Sequence, residues 1–258
     1  MFALISDIHS NLEALTVVLA DIEKRGIKTI YCLGDVIGYG PNPKECLDIV
    51  IDRTRWCVLG NHDYGVFYEP TNFNYGAEQA IFWSRDVLEA GEKKEIRDRW
   101  WSFLGTLPMR RSLKAKLGDE TALIDFVHAS PRKPISEYIF PDDVYTNPVK
   151  VRILFERVKH ICFVGHTHLP GVFLDEPDFY LPDELGGAYP IVPGEKAIIN
   201  IGSVGQPRDK DNRASYVYVE DNEVHFVRLE YDYEATIKKI LAEERLDSFN
   251  AERLRDGR

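Results

Sequence analysis

Short apolar runs alternate with segments of helical period in the first quarter of the chain. Each run is four or five residues long and ends abruptly at polar residues, as a buried strand does, whereas the segments between them repeat apolar positions every three or four residues. Strand–helix–strand–helix–strand order is typical of a parallel sheet with right-handed crossovers. The predicted strands are 2–6, 29–33 and 56–59, and the predicted helices are 12–22 and 43–52.

Strand patterns dominate after a helix-rich segment at about 75–105. The dipeptides Gly118-Asp119 and Asp221-Asn222 predict hairpin turns. A closing helix is expected from Tyr233, and a charged, frayed tail is expected over 248–258. We therefore expect one domain over 1–247, with two sheets packed face to face and helices outside. The predicted strands are 110–117, 121–127, 161–164, 171–174, 196–200, 214–219 and 224–229.

Residues that can bind metals follow five of these predicted strands. Loops at the carboxyl ends of strands build the binding sites of open α/β sheets, so we expect these residues to converge on one rim. Each motif alone is common in turns, and it is the ordered set of five that predicts a site. In chain order the set is Asp7 and His9, Asp35, Asn61 with His62 and Asp63, His128, and His166 with His168.

The residue types indicate which metals would bind. Imidazole and carboxylate suit manganese, iron and zinc better than calcium. Without His62 and Asp63 the set contains seven candidate ligands, which are too many for one ion. They suit two ions if one carboxylate bridges them, and we assign the bridge to Asp35. With two divalent ions, the charges of the ligands and of a bridging hydroxide would leave the site with a net charge of about +1. This local positive charge would attract a phosphate, although the whole chain carries a net charge of −10.

The five blocks resemble the signature of the calcineurin-like metallophosphoesterase superfamily: Asp-x-His, Gly-Asp, Gly-Asn-His-Asp/Glu, a later His, and Gly-His-x-His. They run in order from Asp7 to His168. The resemblance implies an α/β fold, a four-layer α/β/β/α sandwich of two packed mixed sheets with helices outside, and hydrolysis of phosphoesters by a metal-bound hydroxide. It implies one ion on Asp7, His9, Asp35 and His168, and the other on Asp35, Asn61, His128 and His166.

The resemblance also implies roles for two neighbouring residues and a class of cofactor. His62 would contact the phosphate and assist the leaving group, and Asp63 would orient His62 and raise its pKa. The cofactors would be two divalent or trivalent transition-metal ions, with manganese or iron expected and zinc compatible with the same ligands.

The second block narrows the substrate class. It continues as Val36-Ile37-Gly38 and lacks the arginine that protein Ser/Thr phosphatases carry there, which counts against a protein phosphatase. The chain is more similar to the compact prokaryotic branch of phosphodiesterases and dinucleoside polyphosphate hydrolases, also in the stretches 128–131 and 200–208. A catalytically silent scaffold and a nuclease are the remaining alternatives.

Five further residues are candidates for substrate contacts. A glycine-rich stretch could bring the Ser203 hydroxyl to a ligand, and Arg208 and Arg213 could clamp a second phosphate. Alternatively, these two arginines form a surface ion-pair network with Asp209 and Asp211. Tyr39 and Asn42 are the last two candidates, and they could reach a base or an ester group of the substrate.

Composition sets the broader expectations. The four cysteines lack metal or disulfide spacing and are expected to be buried apolar residues. No apolar run has membrane-spanning length, and no basic-then-apolar leader precedes the first strand, so a cytoplasmic location is expected. An acidic chain without a basic strip does not favour nucleic acid as a partner. A small, nucleotide-like phosphorylated substrate is expected, and both a monomer and a homodimer remain open.

Overall fold

Two mixed six-stranded sheets form the core of the structure, a computed structural model that describes residues 1–117 and 120–258. The strands are β1 Phe2–Ile5, β2 Ile30–Cys32, β3 Trp56–Cys57, β4 Arg110–Leu117, β5 Glu120–Val127, β6 Ile161–Val164, β7 Gly171–Leu174, β8 Asp178–Tyr180, β9 Ala188–Pro190, β10 Ala197–Asn200, β11 Ala214–Glu220 and β12 Glu223–Leu229. The helices are α1 Leu12–Lys24, α2 Pro43–Arg53, α3 Asn61–Phe67, α4 Tyr75–Glu89, α5 Lys94–Thr106, α6 Asp143–Thr146, α7 Pro148–Phe155, α8 Tyr233–Leu241 and α9 Ser248–Asp256.

The first sheet joins the two ends of the chain. Its order is β3-β2-β1-β11-β12-β9, and β1, β2 and β3 are parallel as the sequence predicts. β11 lies antiparallel to β1, with Leu4 opposite Val217. The carboxyl end of β1 therefore lies beside the loop that leads into β11.

The second sheet contains the remaining strands in the order β4-β5-β6-β10-β7-β8. Its three central strands, β5, β6 and β10, are parallel, and antiparallel strands flank them on both sides. The carboxyl ends of β5, β6 and β10 therefore share one edge, where three predicted loops begin.

An aromatic and aliphatic cluster fills the space between the sheets. Leu4 and Val217 from the first sheet pack with Phe126, Phe163 and Ile199 from the second. The rings of Phe126 and Phe163 stack with centroids 5.5 Å apart. Helices such as α1 and α7 cover the outer faces through separate apolar clusters. This arrangement confirms the four-layer α/β/β/α sandwich of two mixed sheets.

Local turn chemistry determines how β11 turns into β12. Asp221 and Asn222 have φ angles of 47° and 64°, and both values are positive, as a two-residue type I′ hairpin requires. This prediction is confirmed. The other predicted hairpin dipeptide, Gly118-Asp119, lies outside the described residues.

The C-terminal segment is helical, so the prediction of a frayed tail was wrong. α9 begins after Asp247, whose carboxylate accepts a hydrogen bond from the Phe249 amide. Ala251 and Leu254 are buried in one cluster with residues of α8. An amphipathic period therefore outweighs the local charge density. The domain boundary at residue 247 does not match this packing, and the single-domain interpretation stays a prediction.

Two further features bear on the expectations from composition. All four cysteines are buried as free thiols. Within residues 1–117 and 120–258, none of the helices is both long enough and apolar enough to cross a membrane. The segment at 75–105, predicted to be rich in helix, contains two helices, α4 and α5.

Candidate metal centre

Backbone hydrogen bonds bring loops from both sheets to one edge. The amide of Asp7, after β1, donates to the Gly34 carbonyl at 3.0 Å, and the amide of Gly205, after β10, donates to the Asp7 carbonyl at 2.9 Å. In the second sheet the Gly165 amide donates to the His128 carbonyl at 2.8 Å. The loops that carry the candidate ligands therefore form one connected backbone network.

The backbone at the candidate ligands is strained in a consistent way. Five of these residues adopt left-handed φ angles between 47° and 66°. The left-handed region costs a residue with a Cβ about 1–2 kcal/mol. Strain of this kind persists where the surrounding structure enforces it, and it clusters at functional sites. The five residues are Asp7, His9, Asp35, His166 and His168.

Two glycines permit the loops to approach this closely. A Cβ at Gly60 would lie 2.1 Å from the Asp35 carboxylate, and a Cβ at Gly165 would lie 2.4 Å from the Asp7 carboxylate. Neither distance is sterically possible, so these positions must lack a side chain. The glycines of the Gly-Asn-His and Gly-His motifs therefore make room for the carboxylates.

The first cluster contains Asp7, His9 and His168, all buried. The Nε2 atoms of His9 and His168 lie 3.2 Å apart, and His168 Nε2 lies 3.2 Å from Asp7 Oδ1. Two atoms that bind one cation at about 2.1 Å are roughly 3–3.5 Å apart. The separations in this cluster therefore fit a shared ion.

The second cluster contains Asp35, Asn61, His128 and His166. His128 Nε2 lies 3.0 Å from Asn61 Oδ1, 3.1 Å from His166 Nδ1 and 3.3 Å from Asp35 Oδ2. The buried Nε2 atom of His166 has no hydrogen-bond partner among the described residues. These separations are again those of atoms arranged around one cation.

Asp35 lies between the two clusters. Its Oδ2 atom is 3.3 Å from His128 Nε2 and 3.7 Å from His9 Nε2. Its other oxygen, Oδ1, accepts a hydrogen bond from the His62 amide at 2.8 Å, which fixes the plane of the carboxylate. One oxygen of Asp35 thus faces both groups of imidazoles, as a bridging ligand would.

The hydrogen bonds of the imidazoles test whether these residues fit metal ions. The Nδ1 atoms of His9, His128 and His168 each face a backbone carbonyl, of Ile37, Leu33 and Gln206 respectively. A carbonyl oxygen accepts a hydrogen bond only from a protonated nitrogen, so each ring carries its lone pair on Nε2 when it is neutral. The lone pairs of His9 and His168 therefore point at each other, and a cation between them would remove that repulsion. The donor set fits transition metals.

The pKa values within the centre reflect burial and mutual charge. Burial opposes charge on Asp7 and Asp35, but the surrounding histidines hold the pKa of both carboxyls below the usual range. Burial lowers the pKa of His166 to about 3, with the neighbouring His128 adding to the effect. Burial acts in the same direction on His128, but Asp35 outweighs it and raises its pKa to about 9. The carboxylates are thus ionised, as metal binding requires.

His62 lies against this cluster, but Asp63 does not orient it. Asp63 accepts hydrogen bonds from the amides of Val36 at 3.0 Å and Gly60 at 3.3 Å, and the buried Nδ1 of His62 has no partner among the described residues. Burial lowers the pKa of His62 to about 4 rather than raising it. The predicted role of Asp63 was therefore wrong, because its carboxylate joins the second and third ligand loops instead.

The predicted substrate contacts separate into two groups. Tyr39 and Arg208 lie at the centre: the Tyr39 ring is 4.4 Å from the His62 ring, and the Arg208 guanidinium lies 5.7 Å from the centroid of Tyr39. Ser203 is engaged within the loop, because its hydroxyl donates to the Asp7 carbonyl and accepts from the Gln206 amide. The ligand-contact prediction for Ser203 was therefore wrong.

The other two candidates have protein partners outside the clusters. Asn42 donates to Glu45 and accepts from Lys239. Arg213 is exposed, and its guanidinium forms a bidentate ion pair with the two carboxylate oxygens of Asp211. The structure therefore supports the ion-pair alternative for Arg213 and places Arg208 apart from that network.

Two residues at the centre, Asn200 and Tyr138, were not among the site residues predicted from the sequence. Asn200, at the end of β10, donates to the Gly165 carbonyl and to Thr167, so it holds the loop that carries His166 and His168. Tyr138 stacks on His166 with centroids 4.0 Å apart.

An α/β/β/α sandwich with buried carboxylates and imidazoles gathered at its strand ends defines a metal-dependent phosphoester hydrolase. The chain belongs to the calcineurin-like phosphoesterase family, whose model matches residues 1–170. It is 41% identical to an uncharacterized protein of Methanocaldococcus jannaschii, over 100% of this chain and 98% of that protein.

Solved structures agree with this assignment. A metallophosphoesterase from Sphaerobacter thermophilus superposes with a TM-score of 0.78 at 32% identity, covering 100% of this chain and 98% of that one. A hypothetical protein from Pyrococcus horikoshii OT3 has the same fold, with a TM-score of 0.73 at 19% identity over 100% of this chain and 99% of that one.

Proposed function

We propose that this metallophosphoesterase holds two transition-metal ions and hydrolyses small phosphodiesters or nucleotide-type phosphoanhydrides. The observation that carries the proposal is the position of Asp35 Oδ2, which faces His9 on one side and His128 on the other. A single carboxylate oxygen between two imidazole groups is the arrangement by which two ions share a ligand.

The chain's own residues would hold and orient these ions. Asp7, His9 and His168 would bind one, Asn61, His128 and His166 the other, and Asp35 both. When bound, two such ions lower the pKa of water and offset the charge of the phosphate. Backbone carbonyls fix the ring orientation of three histidines, so the site is organised before substrate arrives. Manganese and iron suit these ligands, and zinc is compatible with them.

His62 is placed to transfer a proton to the leaving oxygen. Its ring packs edge-on against His9 and Phe73 at 4.7 and 4.9 Å, which restricts its orientation. Its backbone amide is bonded to Asp35, so the ring is positioned relative to the candidate bridge. Burial lowers the pKa of His62 to about 4, so the ring is neutral near pH 7 in the metal-free protein. Proton donation requires the imidazolium, which the negative charge of a bound phosphate would favour.

Two sequence observations support a small substrate. One counts against a protein substrate and the other against a nucleic acid. No arginine follows Asp35 in the second block, and the chain has a net charge of −10. The field of an acidic surface opposes an extended polyanion, whereas the centre itself is locally cationic when loaded. A cytoplasmic location and a monomeric or homodimeric state stay predictions.

Hydrolysis assays with purified full-length protein test this function. The protein is stripped with a chelator, resupplied with manganese, iron or zinc, and assayed on bis(p-nitrophenyl) phosphate, diadenosine polyphosphates, cyclic dinucleotides and duplex DNA. We expect metal-dependent turnover of the small substrates and none of DNA. A protein that binds metal but hydrolyses none of the esters would support the silent scaffold, and salt-sensitive turnover of DNA would support a nuclease.

Replacement of His62 by alanine separates leaving-group assistance from a structural role. We expect His62→Ala to slow hydrolysis of an alkyl phosphodiester about 10²–10⁴-fold, the usual contribution of a positioned proton donor. The loss should be much smaller for a p-nitrophenyl ester, whose leaving group needs little protonation. Initial rates on the two ester types measure this difference. Equal losses of rate on both ester types would show that His62 is not the proton donor.

A further inference from the structure

Two aromatic side chains lie exposed on the loop that follows β5. Tyr138 is 43% exposed and Phe140 is 45% exposed, whereas Ile139 between them is buried in one cluster with apolar residues of α7. This alternation is that of an extended segment, in which every second residue lies on the same face. The two rings are therefore presented on one side of the segment, and Ile139 anchors the segment to the protein on the other side.

The two rings continue the metal centre outward. The Tyr138 ring stacks on the ring of His166, which is a buried candidate ligand, with centroids 4.0 Å apart. The Phe140 ring lies parallel to the Tyr138 ring, with an interplanar angle of 2° and centroids 5.4 Å apart. The three rings form a row that begins at the second ligand cluster and ends at the protein surface. Tyr138 and Phe140 together make up an aromatic platform beside the metal centre.

Hydrogen bonds within the loop hold the aromatic platform in place. The Glu137 carboxylate accepts hydrogen bonds from the Ser130 hydroxyl at 2.6 Å and from the Arg132 guanidinium at 3.1 Å. The Phe140 amide donates to the Asp143 carboxylate at 2.8 Å. A surface that is ordered before a ligand arrives loses less conformational entropy when the ligand binds. The platform is therefore preorganised for binding.

Exposed aromatic rings beside a polar centre suit a ligand that has both an anionic part and a planar part. The exposed faces and edges of the two rings are apolar surface, and contact with a planar group would remove this surface from water. Every nucleobase has a π face that can stack on an aromatic side chain. A phosphate held beside His166 would leave its ester group next to Tyr138. The aromatic platform thus has the position and the chemistry to bind the base of a nucleotide ester.

We propose that Tyr138 and Phe140 bind the nucleobase of a substrate whose phosphate lies at the metal centre. This inference rests on the proposed function and narrows it: among small phosphoesters and phosphoanhydrides, the preferred substrates are those that carry a nucleobase. The two residues determine specificity and are not catalytic, because they contact the base rather than the reacting phosphate.

Equilibrium binding of two non-hydrolysable ligands tests the aromatic platform. The ligands are the phosphonate analogues of AMP and of ribose 5-phosphate, in which a methylene group replaces the ester oxygen, and the second ligand lacks the adenine. Their dissociation constants are measured by calorimetry on manganese-loaded full-length protein. We expect the wild type to bind the AMP analogue at least about fivefold more tightly, which is the lower end of the contribution of one base stacked on an aromatic side chain.

Truncation of each ring shows whether this preference depends on the platform. We expect Phe140→Ala and Tyr138→Ala each to reduce the preference for the AMP analogue at least about threefold, whereas Tyr138→Phe keeps the ring and should retain the preference. Because Tyr138 stacks on His166, the manganese content of Tyr138→Ala is measured in parallel. If Tyr138→Ala loses manganese, Phe140→Ala decides the matter, because its ring stacks on Tyr138 and is exposed.

Tyr145 supplies the matched control. It is an aromatic residue of α6 with an exposure of 78%, so Tyr145→Ala makes the same truncation at the surface. This variant should keep the preference for the AMP analogue within about twofold of the wild-type value. Equal binding of the two analogues by the wild type would overturn the platform, and so would a preference that is unchanged in Phe140→Ala.

The outcomes also distinguish this inference from the proposed function. Turnover of phosphodiesters by a protein that binds both analogues equally would retain the hydrolase and overturn the platform. A preference for the AMP analogue that depends on Phe140, without turnover of any ester, would retain the platform and overturn the hydrolase.

Discussion

Asp35→Asn should lower hydrolysis of bis(p-nitrophenyl) phosphate at least about 10³-fold at saturating manganese. The carboxylate lies between the two ligand clusters, and its Oδ2 faces imidazoles of both. An amide of the same shape keeps the hydrogen bond from the His62 backbone but removes the negative charge that two cations would share. Loss of several kcal/mol of transition-state stabilisation corresponds to this factor. Initial rates across a manganese titration measure it.

The buried carboxylate of Asp125 provides the matched control. Its partners are Ser112 and Arg110, and it belongs to neither ligand cluster. Asp125→Asn makes the same chemical change in the same sandwich and should retain activity within a few-fold. In metal-free protein near neutral pH, Asp35→Asn should be less stable than the wild type, because it leaves the protonated His128 without its buried counter-charge. Activity within tenfold of the wild type in Asp35→Asn would contradict the role of Asp35 as a bridge.

Phe126→Ala should destabilise the fold by about 3–5 kcal/mol, the range for truncation of a fully buried phenylalanine. The ring is inaccessible to solvent, stacks on Phe163, and contacts Trp56 edge-on at 5.0 Å across the gap between the sheets. Chemical denaturation of metal-free protein measures the change.

Phe140→Ala serves as the control for this substitution. Phe140 is 45% exposed on the loop after β5, so its truncation should cost well below about 1 kcal/mol. A loss in Phe126→Ala as small as that of Phe140→Ala would mean that the two sheets are not packed through this ring. Phe126→Leu should fall between the two, because leucine restores part of the buried volume.

The sequence predicts which residues gather at the candidate metal centre, because these residues follow the ends of separate strands. An apolar run that ends at Asp7 or Asp35 is a local pattern, and parallel strands carry such ends to one edge whatever the rest of the chain does. The Asp221-Asn222 turn was predictable for the same reason, because its dipeptide directly favours two left-handed residues.

Contacts between distant segments were not predictable. The pairing of Leu4 with Val217 and the stacking of Tyr138 on His166 depend on packing across the whole fold. Asp63 illustrates the same limit: its neighbour in the sequence is His62, but folding brings the Val36 amide closer to its carboxylate. The high charge density of α9 suggested a frayed tail, but the helix is packed through three buried positions, Asn250, Ala251 and Leu254.

Metal stoichiometry and geometry test the central claim most directly. Elemental analysis and anomalous diffraction on manganese-loaded protein should give two ions per chain, separated by roughly 3.5–4 Å, with Asp35 bound to both. Asp35→Asn should retain at most one ion. Wild-type protein with no bound ion, or with a single ion that does not contact Asp35, would contradict the account.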